Sequence, residues 1–107
     1  RIGQAVARRA QAGFGMSVQW WAPRPPRGGA PDVGRPAASL AALLSSSDVV
    51  SLHCPASAET KHLLDADRLA LMRPDAVLIN TARGDVVDEV ALIAALREGR
   101  IGAAGLD

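Results

Sequence analysis

Residues 76–107 read AVLINTARGDVVDEVALIAALREGRIGAAGLD, and this stretch gives the clearest indication of the fold class. The apolar run at 76–80 predicts a short strand, and the apolar run at 102–106 predicts another. Between them, a polar loop over residues 81–87 leads into a helix over 88–98. Two short apolar strands with a helix between them are typical of parallel neighbours joined by a crossover.

The alternation of helix and strand extends upstream. The predicted elements are helices over residues 2–13, 38–46 and 65–72, strands over 16–21 and 48–52, and a loop over 53–64. Gly13 ends the first helix, Asp88 caps the last one and Gly99 ends it. Residues 22–36 hold five prolines and three glycines, which predicts a loop with at most a very short edge strand. Short strands that are apolar on both faces predict an α/β fold, a doubly wound parallel sheet covered by helices.

The composition bounds the size and the class of the protein. A chain of 107 residues allows one domain with a buried core, and 49% apolar residues exclude a disordered tail. Twelve basic against 11 acidic residues give a net charge of +1, which argues against a nucleic-acid or membrane-surface partner. No apolar stretch approaches the ~20 residues that a membrane span requires.

The cysteine content indicates the cellular compartment of the protein, and the two ends of the chain indicate how much of it is present. The single cysteine, Cys54, excludes a disulfide scaffold and a cysteine-built zinc site, so we predict no metal site and a cytoplasmic setting. The chain begins at Arg1, directly before a helical pattern of apolar residues, and it ends at Asp107, directly after an apolar run. We interpret it as an internal piece of a longer protein.

Polar residues follow the predicted strands, at the edge where an open parallel sheet binds its ligands. An arginine, a histidine and an aspartate at one edge predict an anionic ligand. Adjacent residues on an extended segment point to opposite sides, so His53 and Cys54 make a poor nucleophile–base pair, and a half-buried strand end is favoured. The residues at this edge are Ala22-Pro23-Arg24, His53-Cys54-Pro55, Thr81-Ala82-Arg83-Gly84 and Asp107.

Three segments resemble the D-isomer-specific 2-hydroxyacid dehydrogenase family, in the order and spacing of that family. The first is NTARGDVVDE at residues 80–89, followed by Ala91-Leu92 and by Gly105-Leu106-Asp107. The second is DVVSLHCP at residues 48–55, followed by Glu59-Thr60 and His62-Leu63. The third, RIGQAVA at residues 1–7, is similar to the end of the family's dinucleotide fingerprint. The resemblance extends over essentially the whole chain.

The resemblance implies a Rossmann-type cofactor domain, here an incomplete one that occupies residues 1–107 without its first strand or the substrate lobe. In the strand order 3-2-1-4-5-6 the first strand is central, so we expect a divided sheet, poor folding of the isolated chain and aggregation. Gly3 corresponds to the third fingerprint glycine, and Arg1 and Ile2 open the helix that faces the cofactor pyrophosphate. The alternative is an amphipathic helix without a ligand.

The same resemblance assigns the catalytic role to Arg83, which binds the substrate carboxylate and orients the carbonyl for hydride transfer. The alternative is an Arg83 that pairs with Asp85 or Asp88. The implied cofactor contacts are Pro55 at the adenosine half, Thr81 and Ala82 at the nicotinamide side, and Asp107 at the carboxamide.

The second strand departs from the family pattern. Ala22 stands where an acidic residue would bind the adenosine ribose, and no carboxylate lies between Trp20 and Pro31. Arg24 and Arg27 can bind a 2′-phosphate, so we predict NAD(P) binding with NADP favoured. The alternative is that both arginines are solvated loop charges.

The resemblance therefore implies an NAD(P)-dependent enzyme that interconverts small 2-oxo acids, such as glyoxylate or hydroxypyruvate, and D-2-hydroxy acids. The family's catalytic histidine and glutamate follow the position of Asp107, so we expect this chain alone to be inactive. The family is usually homodimeric through the cofactor domain. The alternatives are a nucleotide-sensing, corepressor-like binding protein, a formate- or phosphite-type dehydrogenase, and a truncated remnant.

Overall fold

The computed structural model describes residues 2–24, 29 and 31–107. The chain divides into two compact units, Arg1–Leu43 and Leu44–Asp107. Within the described ranges, no helix is long and apolar enough to cross a membrane.

The first unit holds a helix and a two-stranded parallel sheet. The helix α1, Ile2–Phe14, is followed by the strands β1, Gln19–Trp20, and β2, Arg35–Pro36, which pair in parallel. The very short edge strand expected in the proline-rich stretch is β2. The strand predicted over 16–21 is shorter than expected, because β2 offers only two residues for pairing.

The end of α1 differs from the prediction. Gly13 lies within the helix, and Gly15, with a φ of +63°, follows its last turn. The N–H group of Gly15 donates to the carbonyl of Gln11 at 3.1 Å, which closes that turn. The assignment of the stop to Gly13 was wrong, because it is Gly15 that adopts the left-handed conformation of a helix end.

The second unit is a parallel sheet with helices between its strands. Its elements are β3 (Val49–Leu52), α3 (Ala66–Leu69), β4 (Val77–Asn80), a 3-10 helix (Gly84–Val86), α4 (Glu89–Arg97) and β5 (Ala103–Leu106), preceded by α2 (Leu40–Ser46) at the boundary of the units. β4 lies at the centre, with β3 on one side and β5 on the other, and both pairings are parallel. The predicted α/β fold with a parallel sheet is confirmed.

The residues predicted to delimit α4 do so. Asp88 accepts the N–H of Ala91 at 3.3 Å, and Gly99 follows the helix with a φ of +68°. The predicted loop over 81–87 is more ordered than expected, because the N–H of Val86 reaches the carbonyl of Arg83 at 3.2 Å and forms the 3-10 helix.

One face of the β3-β4-β5 sheet is packed. Val50, Leu52 and Leu78 are buried, whereas Val49 and Ser51, on the alternate face of β3, are exposed. The expectation of burial on both faces was wrong for β3, an edge strand of this sheet, because only its face with Val50 and Leu52 is packed. The other buried apolar residues of the unit are Leu44, Leu63, Leu64, Leu69, Met72, Ala76, Val86, Val87, Leu92, Ala95 and Ile101.

The grouping of the strands follows the predicted order. In the part of the chain that the structure describes, β1 pairs with β2, and β3, β4 and β5 form a separate sheet. These are the groups 3-2 and 4-5-6 of the doubly wound order. The carboxyl ends of β3, β4 and β5 therefore share one edge, at which a ligand site is expected.

Candidate active site

The candidate site begins where β3, β4 and β5 end. Their last residues pair in one row, Leu52 with Asn80 and Asn80 with Leu106, and such strands lie about 4.8 Å apart. The residues that follow therefore leave the sheet at the same edge. They are His53, Thr81 and Asp107, so three of the four predicted groups are brought together. The fourth group, Ala22-Pro23-Arg24, belongs to the first unit.

The turn that carries Arg83 is held by the side chain of Asn80. The Oδ1 atom of Asn80 accepts the N–H of Ala82 at 3.1 Å, and its Nδ2 atom donates to the carbonyl of Arg83 at 2.9 Å. Asn80 is 4% exposed, so its side chain is shielded from competing water. No separate role for Asn80 was predicted from the sequence, although asparagine is a common residue in turns.

Arg83 is presented to solvent at this edge. Its backbone is extended, with φ −127° and ψ 141°, and its side chain is exposed. Among residues 2–24, 29 and 31–107, no ion pair involves Arg83. Asp88, one of the two alternative partners, caps α4 instead. An exposed guanidinium in this setting can bind a planar carboxylate through two parallel N–H···O bonds.

The residues after Arg83 are anchored to a neighbouring loop. The N–H of His62 donates to the carbonyl of Asp85 at 2.7 Å, and the N–H of Leu64 donates to the carbonyl of Val86 at 3.1 Å. His62 has a φ of +51°, which is uncommon for a residue other than glycine. The Arg83 turn is therefore fixed at both ends, by Asn80 before it and by this loop after it.

Pro55 lies in a second braced turn. The hydroxyl of Thr60 donates to the carbonyl of Pro55 at 2.7 Å and accepts the N–H of Ser57 at 2.8 Å. Thr60 is 2% exposed, whereas Pro55 is exposed. The buried hydroxyl of Thr60 thus supports the turn that exposes Pro55. This role of Thr60 was not predicted from the sequence.

His53 and Cys54 form a half-buried strand end, as predicted. The Nε2 atom of His53 lies 2.8 Å from the Oγ atom of Ser51. Burial lowers the pKa of His53 and raises the pKa of Cys54, which favours a neutral imidazole and a protonated thiol. Across the described ranges, no group of three or more His, Cys, Asp or Glu side chains could hold a metal ion.

The predicted cofactor residues of the first unit lie at two places. Ile2 begins α1 and is 72% exposed, and Gly3 follows it, half-buried. After β1, Ala22 is half-buried and Arg24 is exposed. Two further predicted contacts, Arg1 and Arg27, lie outside the described residues.

The whole chain matches one family model. Residues 1–107 match the model described as D-isomer specific 2-hydroxyacid dehydrogenase, NAD binding domain. The chain is 47% identical over 107 residues to the glyoxylate reductase of Thermococcus litoralis. That match covers 100% of this chain and 32% of the relative, so the chain spans about a third of the length of the curated protein it matches.

Solved structures agree with the family match. The apo-structure of D-lactate dehydrogenase from Escherichia coli aligns with a TM-score of 0.90 and 38% identity, over 100% of this chain and 34% of that chain. An acyclic imino acid reductase in complex with NADPH and D-arginine aligns with a TM-score of 0.84 and 42% identity, over 99% of this chain and 33% of that chain. The predicted Rossmann-type fold is confirmed.

Proposed function

Because the chain belongs to the D-isomer-specific 2-hydroxyacid dehydrogenase family, we propose that residues 1–107 are part of the dinucleotide-binding domain of an oxidoreductase that interconverts 2-oxo acids and D-2-hydroxy acids. The observation that carries this proposal is the exposed Arg83, held on a buried support at the carboxyl edge of a parallel sheet. Ligands of open α/β sheets bind at this edge.

Arg83 is proposed to bind the carboxylate of the 2-oxo acid. Its planar guanidinium can donate two parallel hydrogen bonds, which fix the plane of the acid and the orientation of the neighbouring carbonyl. A guanidinium offers N–H donors and no acceptor, so Arg83 is proposed to bind and orient the acid and not to transfer a proton.

The residues at the edge fit a dinucleotide. Pro55, Thr81 and Ala82 follow strand ends, and the N–H of Asp107 donates to the carbonyl of Asn80 at 3.2 Å. We assign Pro55 to the adenosine half, Thr81 and Ala82 to the nicotinamide side, and the Asp107 carboxylate to the carboxamide N–H. When bound, the nicotinamide supplies or accepts the hydride.

The pyrophosphate is proposed to lie at the start of α1, against Ile2 and Gly3. Arg1, the third proposed contact, lies outside the described residues. The helix has 13 residues and no acidic side chain in its first turn. Its free N–H groups and its dipole therefore favour an anion at this end.

NADP is proposed as the preferred cofactor. Ala22 has no carboxylate that would repel a 2′-phosphate, and Arg24 follows it closely in the sequence. The next acidic residue along the chain, Asp32, lies 3.5 Å from Arg8 of α1, which offsets its charge. One structural relative is in complex with NADPH, which is in keeping with this choice.

The substrate, the assembly and the compartment are proposed mainly from the resemblance. Glyoxylate and hydroxypyruvate are the proposed substrates, and a relative that is 47% identical is a glyoxylate reductase. A homodimer formed through the cofactor domain is proposed, without nucleic-acid or membrane partners. The free thiol of Cys54 fits a cytoplasmic, reducing compartment.

The test is oxidation of NADPH and NADH by the complete gene product with glyoxylate and hydroxypyruvate. We expect turnover of a 2-oxo acid, with a lower KM for NADPH than for NADH. Arg83→Gln should lower kcat/KM for the acid about 10- to 150-fold, because a hydrogen bond to a charged group contributes about 1.5–3 kcal/mol. Arg100→Gln removes an exposed arginine that pairs with Glu98 and should leave kcat/KM unchanged.

Other outcomes contradict the proposal in distinct ways. Cofactor binding without turnover of any 2-oxo acid would favour a nucleotide-sensing protein. Oxidation of formate or phosphite without reduction of 2-oxo acids would favour the sister dehydrogenases. Equal KM values for NADPH and NADH would remove the cofactor preference, and absence of cofactor binding would indicate a remnant.

A further inference from the structure

We infer that Asn80 is a positioning residue, whose side chain sets the Arg83 guanidinium for the substrate carboxylate. The inference rests on the proposed function, since it gives Asn80 a part in binding the 2-oxo acid. Asn80 itself is buried at the end of β4 and is not proposed to touch the substrate.

Three polar atoms of Asn80 make hydrogen bonds at the carboxyl edge of the sheet. Its Oδ1 accepts the N–H of Ala82 at 3.1 Å, and its Nδ2 donates to the carbonyl of Arg83 at 2.9 Å. Its main-chain carbonyl accepts the N–H of Asp107 at 3.2 Å. One residue therefore ties the Arg83 turn to the end of β5, where the proposed nicotinamide contact lies.

The side chain at this position needs both a donor and an acceptor. β4 alternates half-buried and buried residues, so Asn80 lies on the packed face together with Leu78. A polar side chain on such a face is unfavourable unless its hydrogen bonds are made. An amide supplies one acceptor for Ala82 and one donor for Arg83, a carboxylate supplies only acceptors, and a serine hydroxyl is too short to span both groups.

The consequence for Arg83 follows from the backbone. The bond from Nδ2 fixes the carbonyl of Arg83, and the bond to Oδ1 fixes the peptide between Thr81 and Ala82. Without these bonds the turn is held only from the side of Val86, whose N–H donates to the carbonyl of Arg83, so residues 81–83 move more and the guanidinium spends less time where the acid binds. The main-chain bond to Asp107 survives any substitution, so cofactor binding should change much less than substrate binding.

The kinetic test uses the complete gene product with NADPH and glyoxylate. Asn80→Ala should raise the KM for glyoxylate at least tenfold, while kcat and the Kd for NADPH stay within threefold. Asn80→Ser should have a smaller effect, because its hydroxyl can still accept the N–H of Ala82. It also keeps the inference testable if the alanine variant does not fold.

A matched control separates positioning from general loss of stability. The side chain of Asp65 accepts the main-chain N–H of Arg68 at 3.0 Å, at the start of α3. Asp65→Ala therefore removes a bond of the same kind as Asn80→Ala, but at a different place in the unit. It should leave the KM for glyoxylate unchanged. The inference is overturned if Asn80→Ala changes this KM less than twofold, or if Asp65→Ala raises it equally.

Amide hydrogen exchange tests the positioning without any turnover. Asn80→Ala should speed exchange of the Ala82 amide at least tenfold and leave the Leu92 amide of α4 unchanged. An unchanged Ala82 amide overturns the inference even in an active enzyme. The wild-type protein could also turn over no 2-oxo acid. Faster exchange of the Ala82 amide in Asn80→Ala would then still support the positioning role of Asn80, and only the proposed function would be wrong.

Discussion

The two units of the chain differ in how they are stabilised. Among the buried apolar side chains in the described residues, only Leu40 belongs to the first unit, whereas Leu64 and Leu78 of the second unit have 0% exposure. The helix α1 has no buried residue and leaves Ile2 and Phe14 72% and 81% exposed. Burial of apolar surface is the dominant favourable term in folding. The second unit therefore has a hydrophobic core of its own, whereas the described residues of the first unit form none.

The buried polar groups show the same difference. In the second unit, Thr60 and Asn80 are buried and make their hydrogen bonds. In the first unit, the Nε1 atom of Trp20 is buried and has no partner within the described part of the chain. A buried donor without a partner is destabilising by about 1–3 kcal/mol.

This difference bears on the two halves of the proposed site. Arg83 lies on a turn whose main chain is held by the buried Asn80 of the second unit, without any ligand. The start of α1 and Arg24, which are proposed to bind the cofactor phosphates, belong to the unit without such a core. Of the two groups of proposed contacts, the group around Arg83 therefore lies on the unit with the described core.

The largest expected effect is a core truncation in the second unit. Leu78→Ala should lower the free energy of opening of this unit by about 2–5 kcal/mol, because Leu78 is fully buried in the central strand. Ile2→Ala in the first unit should change stability by less than about 0.5 kcal/mol. Amide hydrogen exchange measures both values in the 107-residue chain, at a concentration low enough to prevent the expected aggregation. Equal values would contradict the difference between the two units.

Alanine substitution is expected to lower the stability at one glycine and to raise it at another. A Cβ atom at Gly102 would lie 2.8 Å from the carbonyl oxygen of Asp75, so Gly102→Ala should be destabilising by about 1–3 kcal/mol. Gly13 lies in α1 with nothing within 4 Å of an added Cβ, so Gly13→Ala should stabilise the helix by about 0.5 kcal/mol. Thermal unfolding followed by circular dichroism gives both signs, and loss of stability in Gly13→Ala would show that α1 is packed after all.

The smallest expected effect is a pH dependence from His53. Burial lowers its pKa in the folded chain below the ordinary value of 6.5, so the unfolded chain binds the proton more tightly. The stabilisation from neutral His53 is complete above pH 6.5 and is lost as the pH falls through the folded pKa. Wild type should thus lose stability relative to His53→Gln between pH 7 and pH 5, and parallel pH curves for the two proteins would contradict this.

The features that short spacings determine were predictable from the sequence. Asp88 and Gly99 delimit α4 as expected, because capping depends on residues within one helical turn. The common edge of His53, Thr81 and Asp107 was predictable too, since parallel strands end on the same side of a sheet.

Other features depend on contacts that a linear pattern does not contain. The exposure of Val49 was missed, because alternation within a strand does not reveal whether its second face has a cover. The roles of Asn80 and Thr60 were missed as well, because each acts through bonds to main-chain atoms that any residue could supply. The left-handed His62 had no sequence signal, since its conformation goes with a contact to the carbonyl of Asp85.

We propose that Arg83 of the second unit binds the substrate carboxylate and that Arg24 of the first unit binds the cofactor 2′-phosphate. A crossed pair of variants in the complete gene product tests it most directly. Arg83→Ala should raise the KM for glyoxylate at least tenfold and leave the Kd for NADPH within twofold. Arg24→Ala should raise the Kd for NADPH about tenfold and leave the Kd for NADH and the KM for glyoxylate unchanged, since a hydrogen bond to a charged group contributes about 1.5–3 kcal/mol. An unchanged KM in Arg83→Ala, or equal shifts of both constants in both variants, would contradict the account.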